Sequence, residues 1–215
     1  SDTWIYYFQG LKETEMLLNE PGKFFGELFH DPYNGGMDKV LSTHESYWND
    51  LKSNIMLKLV GIFNLLTFNH YYSNVILINF LSFFGPVAIY RCFRDRFPQG
   101  PRLTLITGSF LIPSVLFWTS GLHKEGLLLT AIGLSFFYVN RILRHSWSAT
   151  KVVAIISALF LIFILRNNVV FALLPALILW WVTEKKPEQT RLIYLLVSFT
   201  GIVLFFASSF IHPEP

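Results

Sequence analysis

Charged residues are scarce in this 215-residue chain. Asp, Glu, Lys and Arg make up 14% of it, whereas ordinary soluble domains carry roughly 25%. Hydrophobic residues account for 53%, and long uncharged runs fill residues 71–212. This composition excludes an ordinary soluble domain. It predicts an all-α integral membrane protein, because the runs are too long and too uniformly apolar for the strands of a membrane barrel.

Cysteine and the familiar cofactor motifs are also scarce. The single cysteine, Cys92, excludes an intrachain disulfide and disfavours a Cys/His zinc site. There is no Gly-rich phosphate loop followed by Lys-Ser/Thr, and there is no His-Glu-x-x-His motif. The residues therefore predict no cofactor and no metal ligands, and they leave open a divalent cation at a substrate phosphate.

Six apolar runs approach the ~20 residues that a helix needs to cross ~30 Å of hydrocarbon. They predict about six transmembrane helices, at residues 72–90, 103–122, 126–143, 152–165, 169–183 and 192–211. Only residues 166–168 separate the fourth run from the fifth. These two runs form either a tight helical hairpin or one long broken helix, and loop charge favours the hairpin, because residues 184–186 should return to the side that holds Lys151. Three of the runs are expected to kink at a proline: Pro86, Pro113 and Pro175.

The distribution of charge predicts the orientation. Of the 17 basic and 14 acidic residues, 10 basic and 3 acidic lie in the loops 91–102, 141–151 and 184–191. The positive-inside rule makes these loops cytoplasmic. The net charge of +3 then reflects the orientation of the chain in the membrane. We expect membrane lipids as partners and no nucleic acid partner. Residues 1–70 are expected outside a bacterial inner membrane, together with the turns at 123–125 and 166–168.

The chain divides into an extracytoplasmic or interfacial segment, residues 1–70, and a transmembrane domain, residues 71–215. Residues 3–18 have apolar side chains at loose helical spacing, and Pro21-Gly22 is expected to break that helix. Residues 46–68 mix apolar and polar positions as amphipathic helices in a membrane interface do. No export signal precedes this segment, so we expect an earlier span ahead of Ser1.

A short pattern, Pro-Ser-x-x-x-Trp-x-Ser-Gly-x-x-Lys-Glu, occupies residues 113–125, which are the end of the second run and the turn that follows it. With the Asp and following Tyr of residues 2–6 and the interfacial helices, this turn resembles bacterial polyprenyl-phosphate-dependent glycosyltransferases of the GT-C superfamily. The resemblance implies a lipid-linked sugar donor, a glycan or lipid acceptor and an extracytoplasmic active site. It also implies a catalytic carboxylate in the first outside loop.

Sugar transfer to a hydroxyl requires a carboxylate base near the acceptor. The candidates are Asp2, Asp31 and Glu125. Each also has a structural interpretation. Asp2 would cap the helix over residues 3–18, Asp31 precedes a proline in a turn, and Glu125 would cap a helix that starts at Gly126.

The departing phosphate requires cations. Lys124 and Arg166 are the candidates, with His123 and Asn167 beside them as substrate-binding residues. The alternatives are that both cations extend to lipid headgroups and that His123 is an ordinary surface residue. A second function is therefore kept: a non-enzymatic membrane subunit or transporter in which residues 123–125 and Arg166 form a structural ion-pair cluster. In the enzyme, Asp2 or Asp31 should line a groove that also contains Lys124 and Arg166 and opens laterally to lipid. The hypothesis fails if the N-terminal segment packs away from both turns.

Overall fold

The computed structural model describes the backbone of residues 2–27 and 47–211, and within these ranges all regular secondary structure is helical. The prediction of an all-α protein is confirmed there. In chain order the helices are α1 (Asp2–Asn19), α2 (Pro21–Gly26), α3 (Tyr47–Thr67), α4 (Tyr71–Arg96), α5 (Arg102–Phe110), α6 (Pro113–Thr119), α7 (Lys124–Arg144), α8 (Ala149–Leu165), α9 (Asn167–Lys185) and α10 (Thr190–Ile211), with a 3₁₀ turn at Pro187–Gln189.

Three helices in the described part of the chain are long and apolar enough to cross a membrane: α4, α7 and α9. They contain the predicted runs 72–90, 126–143 and 169–183. Helix α8 is apolar but shorter, with 17 residues. Large apolar side chains are exposed along the outer faces of these helices, as expected for contact with lipid: Phe80, Phe84, Val153, Ile156, Phe160 and Phe171.

The predicted span at 103–122 is divided into two helices, α5 and α6. Its break lies at Leu111 and Ile112, and Ile112 has an extended backbone (φ −69°, ψ 119°). A residue before proline is disfavoured in the helical region, whereas Pro113 suits the first turn of the next helix. Pro113 therefore ends one helix and begins another, while Pro86 and Pro175 remain inside α4 and α9.

Helices α8 and α9 form the tight hairpin that was one of the two sequence alternatives. Arg166 is the one residue between them, and its backbone is extended (φ −154°, ψ 92°). Residues early in α8, such as Ile155, line the same cavity as residues late in α9, such as Ile178. The helices are therefore antiparallel, and the turn places Arg166 at one end of the bundle.

Helices α4 and α7 are parallel, and their backbones approach each other closely. A β-carbon added to Gly133 would lie 2.6 Å from the carbonyl oxygen of Gly85. The hydroxyl of Thr130 lies 3.1 Å from the carbonyl oxygens of Leu81 and Ser82. Small residues at a crossing allow two backbones to come together, and Gly85 and Gly133 provide this for α4 and α7.

The N-terminal segment packs through polar contacts as well as apolar ones. Helix α1 lies along α3, where the Lys58 ammonium is 2.6 Å from a carboxylate oxygen of Glu13. The predicted break at Pro21-Gly22 is short, because Pro21 occupies the first turn of α2. The polar residues interspersed in α3 therefore include side chains that face α1.

Candidate functional site

The candidate site consists of two turns, residues 121–125 and residues 165–167, which we call the two-turn site. Each turn is anchored by a leucine directly before its ionisable residues. Leu122 is completely buried with Met56 and Ile78, and Leu165 is buried with Ile162. The two leucines hold His123 and Arg166 at the edge of the core.

Gly121 connects the first turn to two other elements. Its φ is +122°, a region that side chains rarely adopt, so glycine suits this position. Its backbone N–H donates to Oδ1 of Asn79, 3.2 Å away. A β-carbon added here would lie 3.6 Å from Cγ2 of Thr3. The beginning of α1 therefore lies against this turn.

Glu125 and Arg166 join the two turns. Nη2 of Arg166 donates to Oε1 of Glu125 at 2.9 Å, and the Arg166 side chain is 51% exposed against 21% for Glu125. Such charge-assisted bonds are stronger than neutral ones. Glu125 also lies in the first turn of α7, where the helix dipole favours a negative charge. The guanidinium has five N–H donors, and this is the one side-chain hydrogen bond of Arg166 observed among the described residues.

The remaining residues of the first turn lie around the start of α7. The sequence predicted a helix from Gly126, but α7 begins at Lys124, two residues earlier. His123 therefore takes the N-cap position, without a capping hydrogen bond from its side chain. Lys124 is half-buried in the first turn. The proposed role of Glu125 as a residue preceding the helix is corrected: it belongs to the helix.

Asn167 opens α9 beside Arg166 and is exposed. Its side-chain oxygen accepts a hydrogen bond from the backbone N–H of Asn168 at 2.9 Å. The structure thus places Asn167 in the two-turn site. Its side-chain nitrogen takes no part in the bond to Asn168.

The two candidate aspartates differ in what the structure describes. Asp2 is the first residue of α1, and its side chain lies outside the described part. Because the next residue, Thr3, meets Gly121, the backbone of Asp2 lies near the first turn. Asp31 lies outside the described residues, and its role stays a prediction.

An aromatic cluster that sequence reasoning missed flanks the site. The Trp4 ring stacks on Tyr71 with centroids 4.6 Å apart, and Tyr7 meets Tyr71 edge-on at 5.4 Å. The Tyr7 hydroxyl donates to the carbonyl of Asn69 at 2.6 Å. The helical spacing of Trp4 and Tyr7 indicated a shared face, but nothing in the sequence paired that face with Tyr71.

No protein-family model, no curated protein and no solved structure matches this chain. Within residues 2–27 and 47–211, no three His, Cys, Asp or Glu side chains are grouped as metal ligands would be. The function is therefore inferred from the chemistry of the two-turn site itself.

Proposed function

We propose that this chain is a membrane glycosyltransferase of GT-C type. It transfers a sugar from a polyprenyl-phosphate donor to a glycan or lipid acceptor on the extracytoplasmic face of a bacterial inner membrane. The observation that carries the proposal is the approach of Thr3 to Gly121. The enzyme hypothesis fails if the N-terminal segment packs away from both turns, and this contact supports it by joining the start of that segment to the turn that bears Lys124.

The proposed topology has six spans, one of them made of α5 and α6 together, with residues 1–70 outside. The ends of the helices support this arrangement. The start of α7 and the Arg166 turn lie at one end, joined by the Glu125–Arg166 pair. Arg96 and Glu184, which end α4 and α9, form an ion pair at the other end. The second end carries the basic loops, as the positive-inside rule expects.

In the proposed reaction, the Asp2 carboxylate accepts the proton of the acceptor hydroxyl. The hydroxyl oxygen then forms a bond to the anomeric carbon as the bond between that carbon and the phosphate oxygen breaks. Polyprenyl phosphate leaves as an anion. Lys124 and the remaining N–H groups of Arg166 bind its charge, and Glu125 holds the guanidinium in position.

Measured transfer from a lipid-linked sugar donor tests the proposal. We expect Asp2→Asn to reduce the rate by ~100-fold or more, because general-base catalysis contributes about 10²–10⁴. Lys124→Ala and Arg166→Ala are expected to reduce it as well, and Asp31→Ala tests the other outside carboxylate. Glu15→Gln is the matched control, since Glu15 is an exposed carboxylate of the same helix about 20 Å along its axis. Unchanged donor consumption in Asp2→Asn, Asp31→Ala, Lys124→Ala and Arg166→Ala alike would contradict the proposal.

The 2.9 Å contact between Glu125 and Arg166 favours a second candidate, a non-enzymatic subunit or transporter in which this pair only clamps the two turns. A double-mutant cycle with Glu125→Gln and Arg166→Gln separates the two. We expect a coupling energy of about 0.2–1 kcal/mol, since half-exposed ion pairs contribute little, together with loss of transfer in Arg166→Gln. The exposed Glu20–Lys23 pair provides a control cycle. Strong coupling combined with undiminished transfer would favour the structural clamp.

A further inference from the structure

A cavity of about 390 Å³ lies between α4, α7 and α9, at the end of the bundle opposite the two-turn site. This volume falls in the range of roughly 300–1,000 Å³ that small-molecule sites have. The exposed rings of Phe93 and Phe97 stand at its rim, and Cys92 lies buried in its wall. The complete lining is Ile89, Cys92, Phe93, Arg96, Phe97, Phe136 and Trp180.

Arg96 is the one charged residue in this lining. Its Nη1 donates to Oε1 of Glu184 at 2.8 Å, its Nη2 contacts the other carboxylate oxygen, and its guanidinium lies 5.5 Å from the centre of the Trp180 ring. Two of five N–H donors are thus used on Glu184, which leaves three. An apolar cavity with a guanidinium in its wall suits a ligand that has an apolar chain and an anionic head.

The α7 face that contributes Phe136 also carries a buried amide, Asn140, which is not part of the cavity lining. Asn140 is fully buried, and neither its amide nitrogen nor its oxygen has a hydrogen-bond partner among the described residues. It lies one helical turn after Phe136, on the same face of α7, and the Phe136 carbonyl oxygen is 3.7 Å from Sγ of Cys92. A buried polar group without a partner costs about 1–3 kcal/mol, so α7 carries an unsatisfied amide one helical turn from the cavity wall.

We propose that this cavity binds one anionic phospholipid, with an acyl chain between the aromatic rings and its phosphate on Arg96. Charge favours an anionic over a zwitterionic lipid, because the loops at this end hold 10 basic and 3 acidic residues. The site requires that the chain is embedded in a membrane. It does not require glycosyl transfer, so either proposal stands if the other fails.

The single cysteine provides a direct readout, because Cys92 lines the cavity and no other thiol reacts. The rate of Cys92 alkylation by a small apolar thiol reagent is measured on the full chain in mixed micelles. The micelles contain phosphatidylglycerol or phosphatidylcholine with identical acyl chains. We expect phosphatidylglycerol to half-protect the thiol at about a tenfold lower concentration, because the basic loops at this end attract its net negative charge, whereas the choline cation of phosphatidylcholine cancels that charge. Equal protection by both lipids, or by neither, would overturn the proposal.

Two variants test whether Arg96 binds the lipid phosphate. Each of them breaks the ion pair between Arg96 and Glu184, so any loosening of the fold is common to both. Arg96→Gln is expected to raise the half-protecting concentration of both lipids by about tenfold or more, because their phosphates lose a charge-assisted hydrogen bond. Glu184→Gln keeps the guanidinium and removes the competing carboxylate, so half-protection should move to a lower phosphatidylglycerol concentration. If Arg96→Gln does not fold, Glu184→Gln decides alone: weaker or unchanged protection by phosphatidylglycerol in that variant refutes the site.

Discussion

Gly133→Ala is expected to lower the free energy of unfolding by about 1–3 kcal/mol, the usual range for overpacking a close contact. The added methyl group would lie 2.6 Å from the carbonyl oxygen of Gly85, and neither backbone can move without separating α4 from α7. Gly85→Ala should act from the other side, since its β-carbon would lie 2.8 Å from the Cα of Thr130. Unfolding in graded denaturant, in detergent, measures both effects.

Gly108→Ala is the matched control for these two variants. Gly108 also lies within a helix, α5, but a β-carbon added there meets nothing within 4 Å. Since alanine favours a helix over glycine by roughly 0.5–1 kcal/mol, Gly108→Ala should leave stability unchanged or raise it slightly. If all three substitutions had the same effect, the close approach of α4 and α7 would not be what Gly85 and Gly133 provide.

Asn64→Ala is expected to destabilise the protein by about 3 kcal/mol, because it removes one hydrogen bond from a buried polar group on each of two other helices. Asn64 is 1% exposed. Its amide nitrogen donates to the hydroxyl of Thr14 at 2.9 Å, and its oxygen accepts from the amide of Asn74. Thr67 completes the network by donating to Asn74 at 2.8 Å. The substitution therefore loosens α1 and α4 from α3 together.

The losses of stability caused by Asn64→Ala and Asn74→Ala should not be additive, because the two side chains belong to one network. Once Asn64 is gone, Asn74→Ala removes a group that has already lost one partner, so the double variant should lose less than the sum of the single losses. Asn168→Ala, at an exposed position, should stay within about 0.5 kcal/mol of the parent. Additive losses for Asn64 and Asn74 would show that the two amides act separately.

The helices were more predictable than their breaks. Runs of apolar residues predicted α7 and α9 to within two residues at each end and α4 to within six, because spanning length and lack of charge are local properties. The division of 103–122 at Ile112 was less visible. Pro113 indicated a kink, and whether a proline bends a helix or ends it depends on which neighbours satisfy the freed backbone groups.

The candidate site was predictable as a set of residue types but not as a set of contacts. The sequence placed His123, Lys124 and Arg166 in turns between apolar runs. It did not indicate that Arg166 bonds Glu125, since the two lie 41 positions apart. Nor did it indicate that Gly121, through its positive φ, would admit Thr3 alongside the turn.

The sequence by itself determined that this protein is helical and has apolar helices of spanning length, because composition and run length decide how a backbone satisfies its hydrogen bonds in lipid. Only the tertiary structure decided which turns meet. The parallel crossing of α4 and α7 at Gly85 and Gly133, and the one-residue turn at Arg166, set the relative heights of the helix ends. Those heights bring Glu125 to Arg166 at one end and Arg96 to Glu184 at the other.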